Sequence, residues 1–148
     1  MKKPWMLLML VLTGCATQPD IEEFKSAWHQ NDMSVIAEQI DAGLPIDTSL
    51  DRERHTGLHL AVQAGNRAQI LFLLAHHANP NVQDLNGQTP LHFAVQSQRV
   101  DLMNLLTTAG ANPFVPDSLH QTPVSLAINS QQSALIEWAL QQQLSKQV

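Results

Sequence analysis

The sequence predicts an all-α solenoid, and three observations carry that prediction. The first is a period. Thr89-Pro90-Leu91-His92-Phe93-Ala94 has counterparts at Thr56-Gly57-Leu58-His59-Leu60-Ala61 and Thr122-Pro123-Val124-Ser125-Leu126-Ala127, each 33 residues away. Asp51, Asp84 and Asp117 keep the same 33-residue step. A fixed interval of this length marks a stack of units, each burying its apolar face only against its neighbours. The second observation is the helix start. Proline in a first turn is pre-set in φ and loses no needed N–H, and the threonine before it suits an N-cap. The third is helical spacing of apolar residues at Ile70, Leu73, Leu74 and at Met103, Leu105, Leu106, which reads as the packed seam between second helices.

The interval and the words resemble the ankyrin repeat. That pattern has an acidic turn residue, a glycine, Thr-Pro-Leu-His-x-Ala opening a first helix, a Leu-rich second helix, and a Gly-Ala-Asn ending. Residues 84–116 carry it almost whole, with Asp84, Gly87, Thr89 to Ala94, Leu105-Leu106 and Gly110-Ala111-Asn112-Pro113. Residues 51–83 follow with Thr56 to Ala61, Gly65-Asn66 and His77-Ala78-Asn79-Pro80. Residues 117–148 begin well, lack the ending and read as a capping repeat. Residues 21–50 hold Ala27, Ile36, Ile40 and Gly43-Leu44-Pro45 and read as a degenerate first repeat. The ankyrin domain is thus expected over residues 21–148.

Each element has a local reason. Phe24 and Trp28, spaced i, i+4, should form one buried stripe, with Glu22, Glu23 and Lys25 as its solvated side. Thr56, Thr89 and Thr122 take the N-cap places. The resemblance implies that His59 and His92 hydrogen-bond to the adjacent loop, and that Ser125 lacks that bond. Asn79-Pro80 and Asn112-Pro113 should stop the second helices. Gly43 and Gly110 suit the left-handed position after a helix, where His77 is less comfortable. Asn86-Gly87 forms the turn of its repeat; Arg54 and His120 replace that glycine, so their turns should be strained or rearranged. In the last helix Leu135, Ile136 and Leu140 should face inward, Trp138 should pack in the cap, and Gln131, Gln132 and Gln141 to Gln143 should form a polar outside.

The N-terminus has a separate logic. Lys2-Lys3 and the apolar run from Trp5 to Leu12 form a short signal-like segment. A bilayer span needs about 20 apolar residues, so this run is too short to cross. Leu12-Thr13-Gly14-Cys15 resembles the lipobox of bacterial lipoproteins, which implies a signal over residues 1–14 and diacylglycerol transfer to the Cys15 thiol. Ala16, rather than aspartate, resembles the class sorted to the outer membrane. Residues 15–20 would form the lipidated tether. Its five residues after the cysteine span at most roughly 17–18 Å, placing the repeats near the membrane.

Composition excludes several function classes. With 44% hydrophobic and 14% charged residues the chain is globular. Without Lys2 and Lys3, 6 basic face 13 acidic residues, a net charge of −7 that disfavours nucleic acid and anionic lipid headgroups. The seven histidines include His55 and His59 at i, i+4, but no HExxH motif or second cysteine completes a metal site. GxSxG, P-loop and GxGxxG motifs are absent, so no catalytic residue, cofactor or small-molecule substrate is expected.

What remains is contact with a protein by a monomer. The resemblance implies a binding surface made of loop tips and the exposed side of each first helix. Those places are Arg52, Glu53, His55 and Gln63; Leu85, Asn86, Gln88 and Gln96; and Leu119, Gln121 and Asn129. Leu85 and Leu119 stand out, since loop tips are normally polar. Small exported ankyrin proteins of bacteria resemble immunity factors that block secreted toxins such as phospholipases. Others resemble stabilisers of a periplasmic enzyme such as a catalase, or envelope scaffolds. The expected location is the envelope, at the outer membrane facing the periplasm.

Overall fold

A computed structural model describes residues 19–147. The signal segment and the lipidation of Cys15 fall outside the described residues. The described residues divide into two compact units, residues 19–45 and 46–147. Among the described residues the regular structure is eight α-helices and one isolated bridge, Ser49 to Thr56.

The first unit holds α1 (Ile21–Gln30) and α2 (Met33–Asp41), packed on each other. Asp20 opens α1 by accepting from the Glu22 and Glu23 N–H groups, and Asp32 opens α2 through Ser34 and Val35. Phe24, Ala27 and Ile36 are buried. Trp28 meets Phe24 edge-on with ring centroids 6.2 Å apart, as the i, i+4 spacing predicts. The buried Gln39 ties the pair together, accepting the Asp20 N–H at 2.7 Å and donating to Glu23 at 2.9 Å.

The second unit contains three helix pairs: α3 (Gly57–Ala64) with α4 (Arg67–Ala75), α5 (Pro90–Gln96) with α6 (Val100–Thr108), and α7 (Pro123–Asn129) with α8 (Ser133–Ser145). Each first helix packs on its own second helix and on the next first helix. The core follows the period, with Leu58, Ala61, Val62, Leu91, Ala94, Val95, Val124 and Ala127 from first helices. Ile70, Leu73, Leu102, Met103, Leu106 and Leu135 come from second helices, while Leu74 and Leu105 are only half-buried.

Two expectations change in the structure, the stops of the second helices and the inward face of the last helix, and one is narrowed. Helices α4 and α6 end well before their prolines. His77 (φ 64°) and Gly110 (φ 96°) turn left-handed, and the Ala78 and Ala111 N–H groups close back on Leu73 and Leu106. The turns at Arg54 (φ 64°) and His120 (φ 60°) keep the conformation of Gly87 (φ 74°), so they are strained rather than rearranged. In α8, Leu135, Trp138 and Ala139 face inward, Ile136 is half-buried, and Leu140 is 50% exposed. At about 100° per residue, Leu140 lies roughly 140° around the helix from Leu135. It therefore shares an outer stripe with Ile136 and the exposed Leu144.

Candidate protein-binding face

The loops before α3, α5 and α7 share one design. In each, an aspartate Oδ1 accepts two backbone N–H groups. Asp51 takes those of Glu53 (3.1 Å) and His55 (2.9 Å); Asp84 takes those of Asn86 and Gln88 (both 2.8 Å); Asp117 takes those of Leu119 and Gln121 (both 2.9 Å). This is why aspartate recurs every 33 residues: a short carboxylate folds the tip back on itself. Burial pushes the Asp51 carboxyl up, but the His55 and Glu53 N–H groups and the His55 ring outweigh it, leaving its pKa below the usual value. Asp117 is lowered by the same contest, burial opposing the Gln121 and Leu119 N–H groups and the Gln88 side chain.

The loops are also tied to one another. The Leu85 N–H donates to the Glu53 carbonyl at 2.9 Å, and the Ser118 N–H donates to the Asn86 carbonyl at 2.9 Å, with the Ser118 hydroxyl on that same carbonyl. Beneath them runs the histidine ladder that the resemblance implies. His59 Nδ1 accepts the Thr56 N–H at 3.2 Å, which leaves its Nε2–H to donate to the Gln88 carbonyl at 3.0 Å. His92 repeats this with Thr89 (3.0 Å) and the Gln121 carbonyl (3.1 Å). Burial lowers both histidine pKa values, so the neutral ring that this bonding needs is favoured. Ser125 bonds only within its own turn, accepting the Thr122 N–H and donating to the Thr122 carbonyl. At the far edge, Asp47 accepts the Asn79 N–H at 3.1 Å and Asn81 accepts the Asn112 N–H at 2.6 Å.

This framework presents a row of tips. Arg52, Glu53, Asn86 and the first-helix residues Gln63, Gln96 and Asn129 are exposed. Leu85 is 63% exposed and Leu119 76%, so neither tucks back onto its loop. Gln88 and Gln121 are half-buried, with their carbonyls occupied by the histidines. His55 is a correction: it is buried and offers little surface to a partner, because Phe93 of the next repeat packs edge-on against its ring at 5.4 Å. Ile128, 39% exposed at the end of α7, was missed by sequence reasoning. It occupies the place of the buried Val62 and Val95, and that 33-residue step was the available signal.

Among the described residues no group of three or more histidine, cysteine, aspartate or glutamate side chains is arranged to hold a metal ion. No described helix is long and apolar enough to cross a membrane. A comparison with curated proteins finds no match. A family model described as ankyrin repeats (3 copies) matches residues 26–117 and again residues 58–147. Ankyrin repeats serve generally as non-catalytic protein–protein interaction modules. With the 33-residue period, the histidine ladder and the paired helices in agreement, the chain belongs to the ankyrin-repeat family.

Proposed function

We propose that this protein is a lipid-tethered interaction module of the bacterial envelope that captures a protein partner on its loop tips. The observation that carries this reading is the exposure of Leu85 and Leu119 on loops already hydrogen-bonded to their neighbours. Large apolar side chains held out on a rigid ladder supply contact area at little ordering cost. The polar groups Arg52, Glu53, Asn86, Gln96 and Asn129 form the rim, and Cys15 supplies the attachment. The partner class favoured here is a secreted antibacterial toxin, with this chain as its immunity factor at the periplasmic side of the outer membrane. Stabilisation of a periplasmic enzyme is the competing job.

The test is pulldown of the detergent-solubilised full chain, with mass spectrometry of the captured proteins. Leu85→Glu with Leu119→Glu should abolish capture while leaving the melting temperature nearly unchanged. Undiminished capture by that variant would refute the tip reading, and a captured housekeeping enzyme would replace the toxin reading by the second one. Palmitate should label the wild type and not Cys15→Ala.

A further inference from the structure

In the first two repeats the residue just before the helix-opening threonine sits between one loop and the next. In the second repeat it is Gln88, whose side chain lies near enough to the Asp117 carboxylate of the following loop to help lower its pKa. In the first repeat, 33 residues earlier, it is His55. Its ring holds the equivalent place between Asp51 of its own loop and Asp84 of the next.

His55 Nδ1 lies 2.7 Å from Asp51 Oδ2, a separation that requires a proton between them. Nε2 faces Asp84 Oδ2 at 3.4 Å and Glu53 Oε2 at 3.7 Å. Asp84 Oδ1 is already occupied by the Asn86 and Gln88 N–H groups. Asp84 Oδ2 is buried without any hydrogen-bond partner, on a side chain that is 0% exposed. A buried carboxylate oxygen in that state is costly. A neutral imidazole has one N–H. Spent on Asp51, it leaves a lone pair directed at two carboxylates. An imidazolium has two, and the second points where the unpartnered oxygen waits.

The other groups facing the ring do not oppose this. His59 faces the ring with centroids 5.9 Å apart, and its own bonds to Thr56 and Gln88 keep it neutral. Arg54 shares a groove with Asp84 but makes no ion pair with it. Phe93 closes the remaining side edge-on and carries no charge. Asp51, Glu53 and Asp84 are all acidic.

We propose that His55 is a proton-operated clasp between the first and second repeat loops, its imidazolium holding Asp51 and Asp84 together and its neutral ring releasing Asp84. The proton comes from solvent and returns to it. Because Asp84 shapes the tip that carries Leu85, acidification tightens the tip and a rise in pH loosens it. At the next step of the same ladder the residue near the following aspartate is Gln88, whose amide does not titrate.

The experiment compares urea unfolding of the full chain in mild detergent for wild type, His55→Gln and Asp84→Asn. The expected result is a wild-type to His55→Gln ratio of folding constants that rises roughly three- to tenfold between about pH 8 and about pH 5.5. His59 and His92 are present in both proteins and cancel in that ratio. In the Asp84→Asn background, replacing His55 should give a ratio that no longer changes with pH. The protection of the Asn86 and Gln88 amides, taken relative to the intrinsic exchange rate at each pH, should rise on acidification in the wild type only. A wild-type ratio that stays constant across the range would overturn the proposal. Where a variant fails to fold, nitrogen NMR of the wild-type imidazole decides. Protonation of both His55 ring nitrogens at about pH 5.5 supports the clasp, and a persistent Nε2 lone pair there overturns it.

Discussion

Replacing His92 by alanine strips two backbone groups of their partner at once, because the ring accepts the Thr89 N–H at 3.0 Å, beside the Thr89 hydroxyl at 2.9 Å, and donates to the Gln121 carbonyl at 3.1 Å. The ring is 0% exposed, so water does not replace it freely. Each buried backbone group left without a partner costs about 1–3 kcal/mol, and the vacated ring volume adds about 1 kcal/mol. His92→Ala should therefore cost about 3–7 kcal/mol, a large share of the stability of a small domain. Serine dissects that sum, since Ser125 at the equivalent place accepts the Thr122 N–H at 2.8 Å. His92→Ser should keep the cap, lose only the bond between loops, and be more stable than His92→Ala by about 1–2 kcal/mol. Urea unfolding gives both values, and amide exchange at Thr89 reports the cap directly. Equal losses in the two variants, or a loss under about 1 kcal/mol in His92→Ala, would refute the ladder as a source of stability.

Burial depresses the His59 and His92 pKa values, so the unfolded chain binds more protons as pH falls below about 6.5. Their stability is complete above that value and is lost on acidification toward the folded pKa values; unfolding midpoints against pH in a His55→Gln background check this sign. Asp51 and Asp117, whose pKa values are also depressed, add a second loss at lower pH, starting below about 4. Gly87→Ala should destabilise by about 1–2 kcal/mol, since its φ is 74° and a Cβ would meet Ser118 N at 3.0 Å. His120→Gly should stabilise by about 0.5–1 kcal/mol by relieving the same conformation, as thermal melts would show. On α8, Leu135→Ala should cost about 2–4 kcal/mol. Leu140→Gln, on the outer stripe, should change stability by less than about 0.5 kcal/mol in the same melts.

Much of the fold was legible because it is written in local chemistry that repeats. Thr-Pro at a helix start, aspartate at a tip and glycine after a helix each act within a few residues, and the 33-residue step showed that they act in register. The ladder through His59 and His92 was legible only through the resemblance, because each bond spans 29 residues. Less legible were the left-handed positions at Gln98 and Gln131, whose counterpart Gly65 alone announces its conformation. A glutamine there is forced by the chain reversal between helices, and its side chain carries no sign of it.

The candidate face divides along the same line. From the order of residues alone came the period and the helix starts, which follow from short-range preferences and counting, while the two-helix unit and the tips with their two leucines came through the resemblance. Only packing could decide which side of α8 turns inward, because Leu135, Ile136 and Leu140 are all apolar and the buried neighbours select the phase. Only packing could bury His55, since Phe93 and Asp84 arrive from the next repeat to enclose a ring that its own loop would leave in water.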